Sequence, residues 1–321
     1  IDYSPDGKQV ATNSAAGPAV WDPATGELVV ALTQVDEEEG SYAVAYSPDG
    51  TRLAAGTTSG PIHIWDLPSG EHVQTLRGHG FLVTNLVFSP DGQRLASTGW
   101  DGLAAVWDLA AGQAMTLTLN PDLPSLFGIS FSPDGSQLVT ASPMEVADQG
   151  GVPGIHVWDV ATGAALYTIT VDTVALYNVC YSPDGELFAA GVQEGNVLLY
   201  DVSSRQLVRT LSGHTGLVWR LAFSPDGKVL TSISHDMTVK VWDVDTGEEL
   251  ATLDPGTSFL NGLALSPDGR RVATASIEGT VHIFALSTEE LMEVARSRVT
   301  RSLTTAACQK YLHLDQCPEQ P

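Results

Sequence analysis

Two sets of serine, histidine, aspartate and tryptophan recur at identical spacing in this sequence. The histidine precedes the aspartate by 22 residues and the tryptophan by 28 in both sets, which are His79, Ser97, Asp101 and Trp107, then His214, Ser232, Asp236 and Trp242. Serine, histidine and aspartate are the residue types of a nucleophilic triad. Each set, however, ends on an indole N–H, which can only donate a hydrogen bond. Because the whole set also recurs, we expect a structural hydrogen-bond relay and not a catalytic site.

The elements that position these sets are sequence repeats. The tetrapeptide Ser-Pro-Asp-Gly occurs seven times, beginning at Ser4, Ser47, Ser89, Ser132, Ser182, Ser224 and Ser266. Self-similarity with a period of about 40 to 45 residues is typical of a β-propeller, in which each repeat forms one four-stranded blade. The sequence therefore predicts an all-β ring of seven blades.

The third repeat shows the predicted content of one blade. An apolar strand leads into Ser89, and further strands are predicted over 94–98, 103–108 and 115–119. The third strand ends in Trp-Asp in five repeats, at Trp21, Trp65, Trp107, Trp158 and Trp242. With the Gly-His pairs at His79 and His214, these residues resemble the WD-repeat β-propeller family over residues 1–286. The resemblance implies that the two relays tie the layers of a blade together.

The resemblance also implies a partner-binding face near the central channel. One repeat-equivalent position holds Tyr42, Thr84, Phe127, Tyr177, Trp219 and Asn261, so that four of six residues are aromatic in a chain with 7% aromatic residues. By the same analogy, the face includes Leu82, Trp100, Leu217, His235 and Phe259. A ring of large apolar groups is the expected form of a protein-binding patch. The alternative is that these aromatic side chains only fill gaps between blades.

Composition and charge limit the partner classes. A net charge of −23 disfavours nucleic acid and anionic lipid, and no apolar run is long enough to span a bilayer. The acidic residues 36–39 lie on the rim of the predicted face and favour a partner that carries Lys or Arg. No phosphate loop or zinc spacing is present, so neither cofactor nor metal is expected. The resulting hypothesis is a non-catalytic scaffold or sensor module of a larger signalling protein that binds a protein or peptide.

Two departures from the repeat leave other possibilities open. Residues 143–151 are an insertion whose Glu145 and Asp148 could contact a cation or partner, and the alternative function is an enzyme that uses this loop at the channel mouth. The histidines of three third strands, His63, His156 and His282, lie too far apart around a ring to share a metal. We expect them on strand surfaces.

The last segment, 287–321, departs from the repeat. Residues 287–290 form a capping box that predicts a helix to about residue 298, and a second short helix is predicted over 305–312. The segment resembles a C-terminal extension of bacterial multidomain WD-repeat proteins, which implies a further domain upstream. We expect a truncated inner strand in the first blade, a missing outer strand in the seventh, and self-association through the exposed edges. Cys308 and Cys317 form a disulfide or stay reduced, and the compartment is left open, with the cytoplasm favoured.

Overall fold

The computed structural model describes residues 1–14, 17–32, 40–117, 126–142, 154–256 and 259–286. These residues form 27 β-strands in seven antiparallel sheets and contain no helix, so none that could cross a membrane. The chain divides into two compact units, Ile1–Phe284 and Ala285–Pro321. The two helices predicted in the tail lie outside the described residues.

The sheets follow one another along the chain, and in each the strands pair in sequence order. The first three blades contain β1 (Asp2–Tyr3), β2 (Val10–Thr12), β3 (Ala19–Trp21), β4 (Leu28–Ala31); β5 (Ser41–Tyr46), β6 (Arg52–Thr57), β7 (Ile62–Asp66), β8 (His72–Leu76); and β9 (Val83–Phe88), β10 (Arg94–Gly99), β11 (Ala104–Asp108), β12 (Gln113–Leu117).

The remaining four blades repeat this meander. They contain β13 (Gly128–Phe131), β14 (Gln137–Ser142), β15 (Gly154–Asp159), β16 (Ala165–Thr170); β17 (Leu176–Tyr181), β18 (Leu187–Val192), β19 (Asn196–Asp201), β20 (Leu207–Ser212); β21 (Val218–Phe223), β22 (Val229–Ser234), β23 (Val239–Asp243), β24 (Glu249–Leu253); and β25 (Leu260–Leu265), β26 (Arg271–Ser276), β27 (Val281–Ala285). The predicted seven-bladed all-β propeller is confirmed.

The Ser-Pro-Asp-Gly repeat forms the turn between the first and second strand of each blade. In the third blade, the Ser89 hydroxyl donates to Asp91 Oδ1 at 2.6 Å and accepts the backbone N–H of Arg94 at 2.9 Å. Gly92 has a φ of 68°, which a side chain would disfavour. The tetrapeptide thus supplies the turn geometry and also satisfies backbone groups at the strand ends.

The core lies between neighbouring blades. The tryptophans of the Trp-Asp pairs in blades 2, 3, 4 and 6 are at most 2% exposed, and the second strands are almost entirely buried. Outer strands such as β20 are largely exposed. Each sheet is therefore buried on both faces only through its neighbours, as expected for a stacked repeat.

The first and seventh blades are in contact, and each has less strand structure than the other blades. β1 has two residues, and its neighbour Ile1 lies so close to Gly262 of β25 that a Cβ there would be 2.7 Å from the isoleucine side chain. Among the described residues the seventh sheet has three strands. Val281 of β27 is consequently 42% exposed, whereas Val239 at the equivalent place in β23 is fully buried.

The prediction that the third-strand histidines lie on strand surfaces is wrong for two of them. His63 and His156 are 3% and 5% exposed, because the outer strand covers them. His63 Nδ1 lies 3.0 Å from Thr75 Oγ1, and His156 Nδ1 lies 3.0 Å from Thr168 Oγ1. Burial lowers the pKa of His156 to about 4, so that imidazole is neutral at physiological pH.

Candidate functional site

A β-bulge recurs at the start of the innermost strand. The ladder between the first and second strands skips one residue in five blades, namely Tyr42, Thr84, Tyr177, Trp219 and Asn261. A bulged residue is left out of the ladder, and its side chain is aimed differently from its neighbours. The repeat-equivalent position that the sequence singled out is therefore a defined backbone feature.

Three aromatic side chains from successive blades converge at the end of the ring where the innermost strands begin, called here the top. The ring centroids of Phe127 and Tyr177 are 5.7 Å apart, those of Tyr177 and Trp219 5.7 Å, and those of Phe127 and Trp219 5.5 Å. His235 lies 5.7 Å from Trp219, and Phe259 lies 5.1 Å from His235. These five residues, called here the aromatic cluster, come from blades 4 to 7 and form a continuous surface of touching rings.

The cluster is packed on one side and open on the other. Trp219 packs against the buried side chains of Ile233, Val239 and Leu260. Phe259 is 44% exposed, and the other four members are partly exposed. The rings thus fill gaps between blades, as the alternative held, and also present apolar surface to solvent.

The remaining residues of the predicted face lie elsewhere. Tyr42 lines the central channel and makes no ring contact with another described aromatic residue. Leu82 is 6% exposed, so it belongs to the core and adds no surface, whereas Leu217 is partly exposed. Trp100 stacks on Phe81 at a centroid distance of 6.4 Å, and these two side chains are 46% and 55% exposed. The top of blade 3 therefore carries a second aromatic pair.

The two predicted relays are assembled with matching geometry. The Trp107 indole N–H donates to Ser97 Oγ at 2.8 Å, and Ser97 Oγ lies 2.7 Å from His79 Nε2. His79 Nδ1 lies 3.0 Å from Asp101 Oδ2, which also accepts the backbone N–H of Gly80. In blade 6, Trp242, Ser232, His214 and Asp236 repeat these contacts at 2.8, 2.8 and 2.9 Å. In both relays the contacts run from the indole through serine and histidine to the carboxylate.

Burial and hydrogen bonds shift the pKa of groups in both relays, among them His214 in blade 6 and Asp101 in blade 3. Burial lowers the pKa of His214, against the pull of the Asp236 carboxylate. The imidazole is therefore neutral at physiological pH, accepts from serine at Nε2 and donates to aspartate at Nδ1. Burial favours the neutral form of Asp101, but the hydrogen bonds from His79 and the backbone outweigh it and lower the pKa of that carboxyl. Ser97 and Ser232 are fully buried, which keeps their hydroxyls from any substrate.

Other blades keep only the inner half of the relay. The indole N–H donates to Thr12 in blade 1 at 2.8 Å and to Thr140 in blade 4 at 3.0 Å. In blade 2, Ala55 stands at this position, and the buried Trp65 indole N–H has no partner among the described residues. The serine or threonine eight residues after the first residue of each tetrapeptide thus decides whether the tryptophan is anchored.

A polar channel of about 480 Å³ is lined mainly by residues of the innermost strands. Its wall contains Asn85, Asn178 and Asn261 from three inner strands, and one cation, Arg220. The Arg220 Nη2 donates to the backbone carbonyl of Thr84 at 3.0 Å, across the ring from blade 6 to blade 3. Burial lowers the pKa of Arg220, but a guanidinium stays protonated at physiological pH.

Sequence reasoning overlooked Phe81 and Arg220. Arg220 directly follows the aromatic position, where the other blades carry Ala43, Asn85, Gly128, Asn178 and Gly262. A cationic residue at a position that other blades fill with alanine, glycine or asparagine could have identified Arg220 from the sequence. Phe81 follows a Gly-His pair in a loop, and nothing in its spacing connects it with Trp100.

The described residues contain no group of three or more His, Cys, Asp or Glu placed to hold a metal ion. Glu145 and Asp148, and the acidic run 36–39, lie outside the described residues.

Comparison with known proteins agrees with this architecture. The family model for the WD domain, G-beta repeat, matches residues 70–108, 205–243 and 247–284. A search of curated proteins found no match. WD40 propellers are typically protein-interaction scaffolds that bind proteins or peptides, and they are generally non-catalytic. The three matched repeats and the seven-bladed arrangement, with the tetrapeptide turns and the Trp-Asp strand ends, support a WD-repeat β-propeller.

Proposed function

We propose that this propeller is a non-catalytic scaffold that captures a protein or peptide segment on the aromatic cluster. The observation that carries the proposal is the mutual contact of Phe127, Tyr177 and Trp219, which come from three successive blades and stay partly exposed. Aromatic residues dominate the energetics of protein interfaces when they are clustered at the centre of a patch. The cluster offers such a centre beside a concave channel mouth.

The charge of the molecule favours one kind of occupant. The chain has a net charge of −23, and the carboxylates of Asp101, Glu194 and Asp236 lie in the turns at the same end of the blades as the cluster. Opposite charge speeds encounter and disfavours acidic partners. The occupant is therefore a segment that carries an apolar anchor with Lys or Arg beside it.

The indole of Trp219 gives a further reason for an occupant. Its N–H is buried and has no hydrogen-bond partner among the described residues. An unpaired buried donor costs about 1 to 3 kcal/mol. A backbone carbonyl of a docked segment supplies the missing acceptor if the ring turns toward the solvent.

The enzymatic alternative has less support among the described residues. The serines of both relays are fully buried, and burial raises the pKa of the Cys180 thiol to about 12, which keeps that thiol protonated. The alternative then depends on the loop 143–151. Metal-dependent hydrolysis by the purified protein that is lost in Glu145→Ala and Asp148→Ala would establish the enzymatic function instead.

A peptide selection tests the proposed function. Random peptides displayed on phage are selected on the wild-type protein, and the recovered peptides are measured against Trp219→Ala and Tyr177→Ala. We expect recovered sequences to combine an aromatic or aliphatic residue with Lys or Arg, and to lose affinity for both variants. Circular dichroism establishes that each variant is folded.

The matched control is Leu250→Ala, which shortens an exposed apolar side chain on the outer strand β24. Peptides should bind this variant as they bind the wild type. If the recovered peptides bind Trp219→Ala and Tyr177→Ala with unchanged affinity, the binding surface is elsewhere and the proposal fails.

The wider role included in this proposal is that of a docking or sensor module in a larger signalling or regulatory protein. Its support is the resemblance of the tail to extensions of multidomain WD-repeat proteins. Sequencing the gene upstream of the codon for Ile1 tests it, since an upstream regulatory domain is expected there.

A further inference from the structure

Arg220 is a cation in the channel without a carboxylate counter-ion. Among the described residues, no Asp or Glu oxygen lies within 4.0 Å of its guanidinium, while the ion pairs that do form involve Lys8, His79, His214 and Lys240. One of its five N–H groups is used by the Thr84 carbonyl. Arg220 is partly exposed to the channel, yet burial still lowers its pKa, and a charge in such a place is normally paired because leaving it alone costs free energy. The unpaired guanidinium thus requires an explanation in a chain with so many acidic residues.

Two amides on the channel wall, those of Asn85 and Asn178, present donors to the channel, whereas the Asn13 NH₂ donates to the backbone carbonyls of Ser41 and Tyr42. The Asn178 side-chain oxygen accepts the backbone N–H of Leu221 at 3.2 Å, and the Asn85 oxygen accepts the N–H of Leu86 at 3.0 Å. Because a backbone N–H needs an oxygen, these bonds fix the orientation of both amides. The NH₂ groups of Asn85 and Asn178 are then the donors left for the channel.

The channel is large enough for a small organic molecule. Its volume of about 480 Å³ falls within the range of about 300 to 1,000 Å³ that is typical of ligand pockets. Of the described residues on its wall, one carries a carboxylate, Glu278, which lies beyond ion-pair distance from Arg220. A fixed guanidinium flanked by amide donors is the arrangement that recognises an oxyanion through charge-assisted hydrogen bonds.

We propose that the central channel is an oxyanion-binding site in which Arg220, with the Asn85 and Asn178 amides, holds a carboxylate or phosphate group of a small ligand. The site contains no residue of the aromatic cluster, so its failure would leave the proposed scaffold function untouched. A ligand held by Arg220 would lie near the cluster, because Arg220 Cζ is 5.9 Å from the centroid of the Trp219 ring.

Titration with two simple probes tests the site. Inorganic phosphate and citrate are added separately at constant ionic strength, and binding is followed by isothermal titration calorimetry. We expect at least one probe to bind the wild type and to lose affinity by about tenfold or more in Arg220→Gln, because a charge-assisted hydrogen bond is lost. The probe that binds more tightly distinguishes a phosphate site from a carboxylate site.

Three further variants separate binding from folding. Arg270→Gln removes the same charge from an exposed turn and should bind the probes like the wild type. Asn85→Asp keeps Arg220 but supplies an internal carboxylate, and it should abolish binding. Glu278→Gln should strengthen binding, since it removes the negative charge from the wall.

The purely structural role of Arg220, a bridge between blades 6 and 3, predicts a different outcome. Arg220→Gln would then lower the melting temperature, and neither probe would bind the wild type. The proposal is overturned by that result, or by equal probe affinities for the wild type, Arg220→Gln and Asn85→Asp.

Discussion

Trp219 and Arg220 are consecutive residues whose side chains a β-bulge directs to different parts of the molecule. Trp219 is skipped by the ladder and joins the aromatic cluster, whereas Arg220 pairs with Ile233 and extends into the channel. The guanidinium carbon nevertheless lies 5.9 Å from the indole centroid. One bulge thus contributes a residue to the apolar surface and a residue to the polar channel, and substitutions at the two positions should separate the two proposed binding activities.

Trp219→Ala should weaken binding of a docked segment by about 2 kcal/mol or more, or about 30-fold, because it removes the ring that contacts three other members of the cluster. Trp219→Phe keeps an aromatic ring and should lose less. Fluorescence anisotropy with a labelled selected peptide gives both affinities. Equal losses for the alanine and phenylalanine variants would show that ring contact is not the source of affinity.

The same complex should weaken as salt rises. Binding of a basic segment to a chain with a net charge of −23 is screened at ionic strengths above about 0.15 M, where the Debye length is about 8 Å. Association rates measured from about 50 to about 500 mM NaCl should fall, with smaller changes in dissociation rate. A rate of association that is independent of salt would remove the argument for basic residues in the partner.

His79→Ala and His214→Ala should each lower the free energy of unfolding by about 1 to 3 kcal/mol, because they leave the buried serine and the carboxylate without their partner. Guanidinium denaturation measures the loss. His282→Ala is the control, since its ring is partly exposed on β27 and belongs to no relay. Losses no larger than that of the control would show that the relays do not support the ring.

Ala55→Ser should stabilise the protein by about 1 kcal/mol, because the new hydroxyl gives the Trp65 indole N–H the acceptor that Ser97 gives Trp107. Ala190→Ser is the matched control. It adds the same hydroxyl at the equivalent buried position of blade 5, where Tyr200 replaces the tryptophan. The melting temperature should rise for the first variant alone, and a rise in both would point to a cause other than the indole.

The repeat predicted the fold well because its turns determine where strands begin. The strands predicted over 94–98 and 103–108 differ by one residue from β10 and β11. The outer strand was misplaced by two residues, since β12 is mostly exposed and has no clear alternation. Burial of His63 also escaped prediction, because it depends on the cover provided by β8.

The sequence predicted which positions carry the aromatic residues of the candidate site, but not which of their side chains contact one another. A fixed offset from each tetrapeptide located Phe127, Tyr177 and Trp219. The bulge recurs at that offset for Tyr177 and Trp219, whereas Phe127 directly precedes β13. The same offset gave Tyr42, which joins no ring contact among the described residues, because ring contacts depend on the direction of each side chain. The bond from Arg220 to Thr84 spans 136 residues, and no local pattern reports such a contact.

The aspartates of the tetrapeptide turns should make stability depend on acid pH. In all seven turns the serine hydroxyl donates to the aspartate, and this bond, with a backbone N–H, lowers the pKa of Asp6, Asp49, Asp91, Asp134, Asp184, Asp226 and Asp268. A carboxyl whose pKa is lower in the folded state stabilises that state above its unfolded pKa of about 3.9. The contribution is lost as the pH falls through the folded pKa.

Asp91→Asn tests this dependence in one turn. The amide keeps an acceptor oxygen but carries no charge, so the variant should be less stable than the wild type at about pH 7, and the difference should shrink as the pH falls from about 4 toward about 2. Urea denaturation at a series of pH values gives both free energies. Ser89→Ala removes the first of the bonds that lower the pKa, so it should flatten the acid dependence in the same direction. An Asp91→Asn difference that is equal at neutral pH and at about pH 2.5 would show that the ionised carboxylate contributes nothing to the turn.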